Sequence, residues 1–244
     1  MALLEIRDLG KSFGGIRAVD GCSFGVEEGS ITALIGPNGA GKTTVFNLIS
    51  GLHRPDAGAI VFDGTRIDGL PPHRITRKGI ARTFQISRDL AGLSVLENVV
   101  VQSPAGGFRQ LLKPSMSPAE RERAMDLLSF VGIAELAREP AAKLSYGQKK
   151  LLELAACLMA DPRLVLLDEP AGGINPALLE IIIDRVRQLR TQGVTFLIVE
   201  HNMDVVMNVC DPVVVMAYGR FLAHGTPAAI QNDEAVLEAY LGVV

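Results

Sequence analysis

A short apolar run followed at once by a glycine-rich loop constrains the fold of this chain more than any other feature. Residues 31–35 read ITALI, and residues 36–44 read GPNGAGKTT. Glycines let the backbone curl until successive N–H groups point at one centre, in front of the helix that the next residues begin. A strand, loop and helix with the pattern G-x-x-x-x-G-K-[ST] is an arrangement that binds the phosphates of a nucleoside triphosphate.

Two side chains of this loop add chemistry to its backbone. Lys42 supplies a positive charge near the terminal phosphates, and we expect it to be exposed at the loop. Thr43 offers a hydroxyl to Mg²⁺, which bridges the phosphates in such sites. The residues expected to contact the nucleotide are Gly36, Pro37, Asn38, Gly39, Ala40, Gly41, Lys42, Thr43 and Thr44.

A second apolar run ends in two carboxylates. Residues 164–167 read LVLL, which is typical of a strand buried on both faces of a parallel sheet, and Asp168 and Glu169 follow. Ligands bind at the carboxyl ends of such strands. We expect Asp168 to hold the metal, usually through water. Glu169 is then placed to take a proton from the water that attacks the γ-phosphate, a role worth about 10²- to 10⁴-fold in rate. An acidic pair that only caps a loop is the alternative.

The segment LSYGQ at 144–148 decides among the classes of triphosphatase. Ser145 and Gln148 form a capping box before an apolar helix face, so a plain helix start is one interpretation. Together with the two motifs above, the segment resembles the signature of the ATP-binding cassette (ABC) ATPases, usually written LSGGQ. The resemblance implies that Ser145, Gly147 and Gln148 contact the γ-phosphate of an ATP held by a second subunit. Tyr146 replaces the first glycine, which leaves the contact through Ser145 and the backbone intact but would narrow the approach.

The same resemblance assigns three further site residues. Gln85, which we place at the end of a strand, matches the glutamine that ligates Mg²⁺ and senses the transmembrane partner. His201, after a predicted strand over 194–199, matches the histidine that contacts the γ-phosphate and positions the glutamate. Phe13 matches the aromatic residue that stacks on adenine, and the alternative is a core residue.

One family position is altered. Asn175 stands where most family members carry an aspartate, so the usual charge of this loop is in doubt. Asn175 followed by Pro176 is also an ordinary N-cap with proline at the first helical position.

The pattern predicts an α/β fold with a P-loop NTPase core of mostly parallel sheet. Strands near 3–9, 23–26 and 60–62 form an antiparallel β subdomain, and capping boxes at Ser94 and Ser117 begin helices. The parallel strands begin near Ile31, Ile80, Leu164, Val194 and Val213. We expect one ABC nucleotide-binding domain over 1–244, with a helical signature subdomain inserted at 87–160.

The composition limits the classes of partner that this chain is expected to bind. The net charge of -3 argues against binding nucleic acid. A local basic group is more typical of a solvated face or a partner contact, and its members are Arg74, Arg77, Lys78, Arg82 and Arg88. Cys22, Cys157 and Cys210 have no metal or disulfide spacing. Neither a membrane-spanning run nor a signal peptide is seen. We expect a cytoplasmic chain, held on the inner face of the membrane by permease subunits.

The segments FGG at 13–15, RTFQ at 82–85, AGGINP at 171–176 and AYLG at 239–242, with the tyrosine-containing signature, narrow the resemblance. Over essentially its whole length, the chain resembles the ATP-binding subunits of branched-chain amino-acid importers, and within that group it is most similar to the longer of the two. The resemblance implies a second ABC ATPase subunit, identical or paralogous, permease subunits docked near Gln85, and an external solute-binding protein acting indirectly. Urea-import and lipopolysaccharide-export ATPases share these motifs, so they remain alternatives. A soluble ABC ATPase that acts on nucleic acid or ribosomes is disfavoured by the lack of a second cassette, a coiled-coil insertion and a basic surface.

Overall fold

Two sheets and a set of helices make up the computed structural model, which describes residues 2–83, 90–103 and 116–241. The strands in chain order are β1 (Ala2–Phe13), β2 (Ile16–Glu27), β3 (Ile31–Ile35), β4 (Ala57–Phe62), β5 (Thr65–Arg66), β6 (Ile80–Arg82), β7 (Leu164–Asp168), β8 (Thr195–Val199), β9 (Val213–Ala217) and β10 (Arg220–Gly225). The α-helices are α1 (Lys42–Ile49), α2 (Pro72–Arg77), α3 (Val95–Val100), α4 (Pro118–Val131), α5 (Tyr146–Met159), α6 (Pro176–Thr191), α7 (Met203–Val209), α8 (Pro227–Gln231) and α9 (Glu234–Leu241). Short 3₁₀ turns lie at Ala134–Leu136 and Ala141–Lys143.

The larger sheet is parallel except at one edge. Its order is β10-β9-β3-β8-β7-β6, and only β10 runs antiparallel to its neighbour β9. Every residue of β3, β7, β8 and β9 is buried, which explains why these strands read as continuous apolar runs. The predicted mostly parallel core is confirmed. The edge strand β10 was not predicted, since its burial is only partial and its sequence carries no apolar run.

The smaller sheet is the predicted antiparallel subdomain, in the order β2-β1-β4-β5. Strands β1 and β2 each run for 12 residues and pair from Ala2↔Glu27 to Phe13↔Ile16, with a turn at Gly14 and Gly15. They are therefore longer than the predicted 3–9 and 23–26. Their turn-proximal halves are partly exposed and polar, so the strand signal in the sequence fades there.

The core lies on both faces of the large sheet. Because side chains alternate along a strand, Ala33 and Ile35 of β3 face one layer and Leu34 faces the other. The first layer contains α3 to α6, and the second contains α1 and the antiparallel sheet. The phosphate-loop helix and the signature helix thus pack on opposite faces of one sheet.

The helical insertion begins as the capping boxes predict. Ser94 and Ser117 cap α3 and α4 with reciprocal side-chain bonds, and α4 ends at Gly132 with φ 82°. The inserted subdomain at 87–160 stays a prediction, since residues 84–89 and 104–115 lie outside the described residues. In the described parts of the chain, no helix combines the length and apolarity needed to cross a bilayer.

Candidate functional site

The phosphate loop leaves β3 and curls tightly against two neighbours. Gly36 and Gly41 have φ values of 148° and 98°. A Cβ atom at Gly36 would lie 2.0 Å from the carbonyl oxygen of Met216, and one at Gly41 would lie 2.4 Å from that of Ala18. Only glycine fits at these two positions, so β9 and β2 shape the loop from outside.

Lys42 lies inside this loop, and the prediction that it is exposed is wrong. Its side chain is 6% exposed, and its ammonium donates to the carbonyl oxygens of Gly36 at 2.7 Å and Pro37 at 3.0 Å. Burial lowers the pKa of Lys42, and the negative charge of Glu169 opposes that shift. The curled loop places its own carbonyls around the ammonium, and the sequence pattern does not show this.

The turn between β9 and β10 supports the loop from behind, a role that the sequence analysis missed. Gly219 donates its N–H to the Ala40 carbonyl at 3.2 Å, and Asp20 donates its N–H to the Gly219 carbonyl at 2.8 Å. Arg220 pairs with the Asp20 carboxylate at 2.6 Å, and this hydrogen bond lowers the pKa of Asp20. No local motif marks these contacts, because they join segments distant in sequence.

The acidic strand ends beside an arginine from the neighbouring strand. Asp168 is 3% exposed, and its carboxylate accepts a hydrogen bond from Arg82 at 2.9 Å. The prediction that Arg82 belongs to a solvated face or a partner contact is therefore wrong. Arg74, Arg77 and Lys78 are exposed, and Arg88 lies outside the described residues. The pairing of β6 with β7 brings the two side chains together, and composition alone could not show it.

Glu169 and His201 meet at the ends of adjacent strands. Asp168 pairs with Val199 in the sheet, and Glu169 donates its N–H to the Val199 carbonyl at 2.9 Å. The carboxylate of Glu169 lies 2.9 Å from Nε2 of His201, in the arrangement expected from sequence. Glu169 has φ 50°, a conformation that favours glycine and that proteins retain at functional positions.

A buried carboxylate next to His201 organises both loops and was not predicted. Glu200 is 2% exposed and accepts N–H bonds from Ala171 at 2.7 Å, His201 at 2.7 Å and Asn202 at 2.9 Å. It therefore ties the loop after Glu169 to the loop that carries His201. The available sequence signal was the position of this glutamate directly before His201. A buried carboxylate needs several hydrogen-bond donors, and the backbone N–H groups of the two loops supply them.

The signature helix begins as predicted. Ser145 accepts the N–H of Gln148 at 3.3 Å, and the Gln148 side chain accepts the Ser145 N–H at 2.9 Å. Asn175 likewise caps α6 by accepting the N–H of Leu178 at 2.9 Å. The two helix starts face one groove of about 380 Å³.

The two departures from the family pattern line this same groove. Tyr146 is 46% exposed, and its ring packs against Gly173, two residues before Asn175. A Cβ atom added at Gly173 would lie 3.1 Å from that ring. Gly147 packs against Leu178, since a Cβ there would lie 2.3 Å from that side chain. Tyr146 therefore narrows the groove from within its own subunit.

Two predicted site residues remain, Phe13 and Gln85. Phe13 ends β1, is 42% exposed and meets His53 edge-on at 5.2 Å, so the alternative of a core residue does not hold. Lys11 lies 5.4 Å from the same ring. Gln85, with its proposed metal and permease contacts, lies outside the described residues.

Comparison with known proteins identifies the class. The ABC transporter family model matches residues 19–172, and a model described as branched-chain amino acid ATP-binding cassette transporter matches residues 222–244. The chain belongs to the ABC transporter family of ATP-binding subunits. It hydrolyses ATP as part of a transporter, as the resemblance predicted.

Individual relatives are similar over nearly the whole chain. A probable branched-chain amino acid transport ATP-binding protein LivG of Archaeoglobus fulgidus is 42% identical, covering 99% of this chain and 96% of the relative. A high-affinity branched-chain amino acid transport ATP-binding protein BraF of Pseudomonas aeruginosa is 42% identical, covering 98% of both. A crystal structure of a nucleotide-free ATP-binding cassette from an ABC transporter matches with a TM-score of 0.89 at 34% identity, covering 98% of both chains. The predicted fold is confirmed, and so is the predicted similarity to the ATP-binding subunits of branched-chain amino-acid transporters. The roles of single residues stay predictions.

Proposed function

We propose that this chain is one of two ATPase subunits that close over two ATP molecules and drive the uptake of branched-chain amino acids. The observation that carries the proposal is the hydrogen bond of 2.9 Å between Glu169 and His201, at the sheet edge that also holds the phosphate loop. The whole-length similarity to transport ATPases with that printed substrate supports the choice of cargo.

Mg²⁺ fits the oxygen donors of this site. A hydroxyl from Thr43 and a carboxylate from Asp168 are the oxygen ligands that this ion takes in proteins. The ion would neutralise the charge that develops on the phosphates during transfer. Gln85 is the third proposed ligand, on the strength of the family pattern alone.

The chain's own residues supply the proton transfer. Glu169 accepts a proton from the attacking water, and His201 holds the carboxylate in place through its Nε2 contact. Glu200 keeps both loops in register through its three backbone donors. The positive charge of Lys42 turns from the loop carbonyls to the phosphates when a nucleotide enters.

Each site is completed by the other subunit. Ser145 is exposed at the start of α5, where N–H groups and the helix dipole favour an anion. With Gly147 and Gln148 it contacts the γ-phosphate on the partner's phosphate loop. Phe13 stacks on the adenine at the exposed end of β1. Permease subunits dock near Gln85 and hold the pair at the inner face of the membrane, and a solute-binding protein acts from outside.

Uptake in cells tests this function. A strain without this chain should regain uptake of labelled leucine, isoleucine and valine when the wild-type chain is supplied, and should not regain it with Glu169→Gln. Restored uptake of urea without leucine would reject the proposed cargo. Identification by mass spectrometry of proteins that co-purify from the native membrane distinguishes a homodimer from a pair with a paralogue.

A further inference from the structure

Arg82 lies buried between the phosphate-loop helix and the acidic strand. One terminal nitrogen donates to the Asp168 carboxylate at 2.9 Å, while the other donates to Asn47 of α1 at 2.7 Å and to Ser50, which caps the end of that helix, at 2.9 Å. The guanidinium carbon also lies 5.5 Å from the Phe46 ring centre. The Arg82 and Asp168 side chains are 7% and 3% exposed. The phosphate-loop helix α1 therefore holds the guanidinium of Arg82 on the side that faces away from Asp168.

This arginine changes the charge balance of the site. Asp168 and Arg82 form a buried pair whose charges sum to zero. Glu169 is opposed by the charge of Lys42, and Glu200 is bound by three backbone N–H groups. Divalent cations are drawn to sites with excess negative charge, and opposite charges interact strongly where water is excluded. A triphosphate adds negative charge beside this neutral pair.

We propose that Arg82 acts as an internal counter-cation of Asp168 that makes metal binding conditional on nucleotide. Without nucleotide, Arg82 neutralises the carboxylate and divalent ions bind weakly. When the phosphates enter, the site becomes negative and the ion is retained. The inference rests on the proposed metal role of Asp168, and it adds Arg82 to the site as a positioning residue.

Titration with Mn²⁺, followed by electron paramagnetic resonance, tests the proposal on the purified chain. In the absence of nucleotide, Arg82→Gln should bind Mn²⁺ at least roughly tenfold more tightly than wild type, because one unit of positive charge is lost beside the carboxylate. Arg82→Lys keeps the charge and should stay near wild type. Adding Asp168→Asn to Arg82→Gln should remove the gained affinity.

Arg163→Gln is the matched control. Arg163 pairs with Asp63 at 2.6 Å and Glu28 at 2.9 Å, and it packs over Phe62, remote from the described site residues. Its loss should leave Mn²⁺ binding unchanged. A purely structural role for Arg82 would lower thermal stability and leave nucleotide-free Mn²⁺ affinity at the wild-type value, which overturns the inference.

A second variant keeps the test decisive if Arg82→Gln does not fold. Asn47→Asp places a carboxylate on the other side of the guanidinium and offsets its charge, so nucleotide-free Mn²⁺ binding should again rise. Unchanged binding in this variant contradicts the inference. If wild type fails to bind Mn²⁺ even with ATP, the metal role of Asp168 and the inference both fall. If wild type binds it only with ATP and the variants match wild type without ATP, the inference alone falls.

Discussion

Lys42 shows how a single residue serves the loop in two ways. Its ammonium donates hydrogen bonds to the carbonyls of Gly36 and Pro37, so the charge that we propose to meet a nucleotide also holds the loop closed. We expect Lys42→Met, which keeps the buried volume, to weaken ATP binding by roughly 10- to 150-fold, the equivalent of one hydrogen bond to a charged group. Isothermal titration measures the affinity, and circular dichroism checks the fold. Lys143→Met, at an exposed pair with Glu139, is the control.

Glu200 allows a second test at this scale. Three backbone donors converge on its carboxylate, and glutamine offers only one acceptor oxygen together with a competing amide donor. We expect Glu200→Gln to lower the free energy of unfolding by about 1.5–3 kcal/mol and to reduce ATP turnover by displacing His201. Urea denaturation and a phosphate-release assay measure the two effects. Glu238→Gln, exposed on α9, should alter neither.

Single residues also show where sequence reasoning stops. The contact between Glu169 and His201 was predicted from the family resemblance, and it is consistent with the placement of both residues after buried strands whose carboxyl ends meet in a parallel sheet. The burial of Lys42 and the pairing of Arg82 with Asp168 were not predicted, since both depend on how a loop curls or on which strands become neighbours. A lysine or an arginine in the sequence shows that a positive charge is present. It does not show which carboxylate or carbonyl that side chain contacts.

Among the elements, two helix starts form a natural pair for comparison. The hydroxyls of Ser145 and Ser117 each accept the N–H three residues on, at 3.3 Å and 3.2 Å, and each serine donates its own N–H to the side chain of that residue. Replacing either by alanine should cost about 0.5–2 kcal/mol of stability. Only Ser145→Ala should slow ATP hydrolysis, because only that helix start is proposed to meet the partner's phosphate.

Comparison of the two alanine variants distinguishes a helix-capping role of Ser145 from a role in binding the partner's γ-phosphate. Denaturant unfolding reports the shared stability cost, and steady-state ATPase rates report the difference. Ser145→Arg should stop hydrolysis while a single subunit still binds ATP, since a bulky cation blocks docking of the partner's γ-phosphate. Equal ATPase losses in Ser145→Ala and Ser117→Ala would reduce the signature to a helix cap.

Elements differ in how well the sequence predicts them. The helix starts at Ser94, Ser117 and Ser145 were correct because a capping box is local and its chemistry is complete within four residues. The hairpin of β1 and β2 was placed but cut short, and β10 was missed. These segments are stabilised by pairing with distant strands, and a local pattern carries little of that information.

At the scale of the whole molecule, the site is divided between two surfaces of one chain. The phosphate loop packs with α1 on one face of the large sheet, whereas α5 packs on the other. In the proposed mechanism, the signature helix completes a phosphate site on a second subunit, which gives both surfaces a role. The affinity between subunits should then depend on ATP, because the γ-phosphate would be shared.

Glu169→Gln makes this dependence measurable. The substitution keeps a hydrogen-bonding oxygen for His201 and removes the proton acceptor, so ATP should still bind while hydrolysis falls by about 10²- to 10⁴-fold. A complex that does not cleave ATP should accumulate as a closed dimer, since ATP shifts the equilibrium towards the state that binds it on both sides. Size-exclusion chromatography with light scattering should show a dimer with ATP and a monomer with ADP.

The paralogous partner enters as a separate arm of this experiment. If the chain alone stays monomeric with ATP but forms a heterodimer when the second ATPase of its transporter is added, the shared-site mechanism holds and homodimerisation is rejected. Wild type should dimerise only transiently in either arm, because cleavage removes the shared phosphate. Near-normal turnover by Glu169→Gln would remove this carboxylate from the mechanism, and a monomer in both arms would reject the shared site itself.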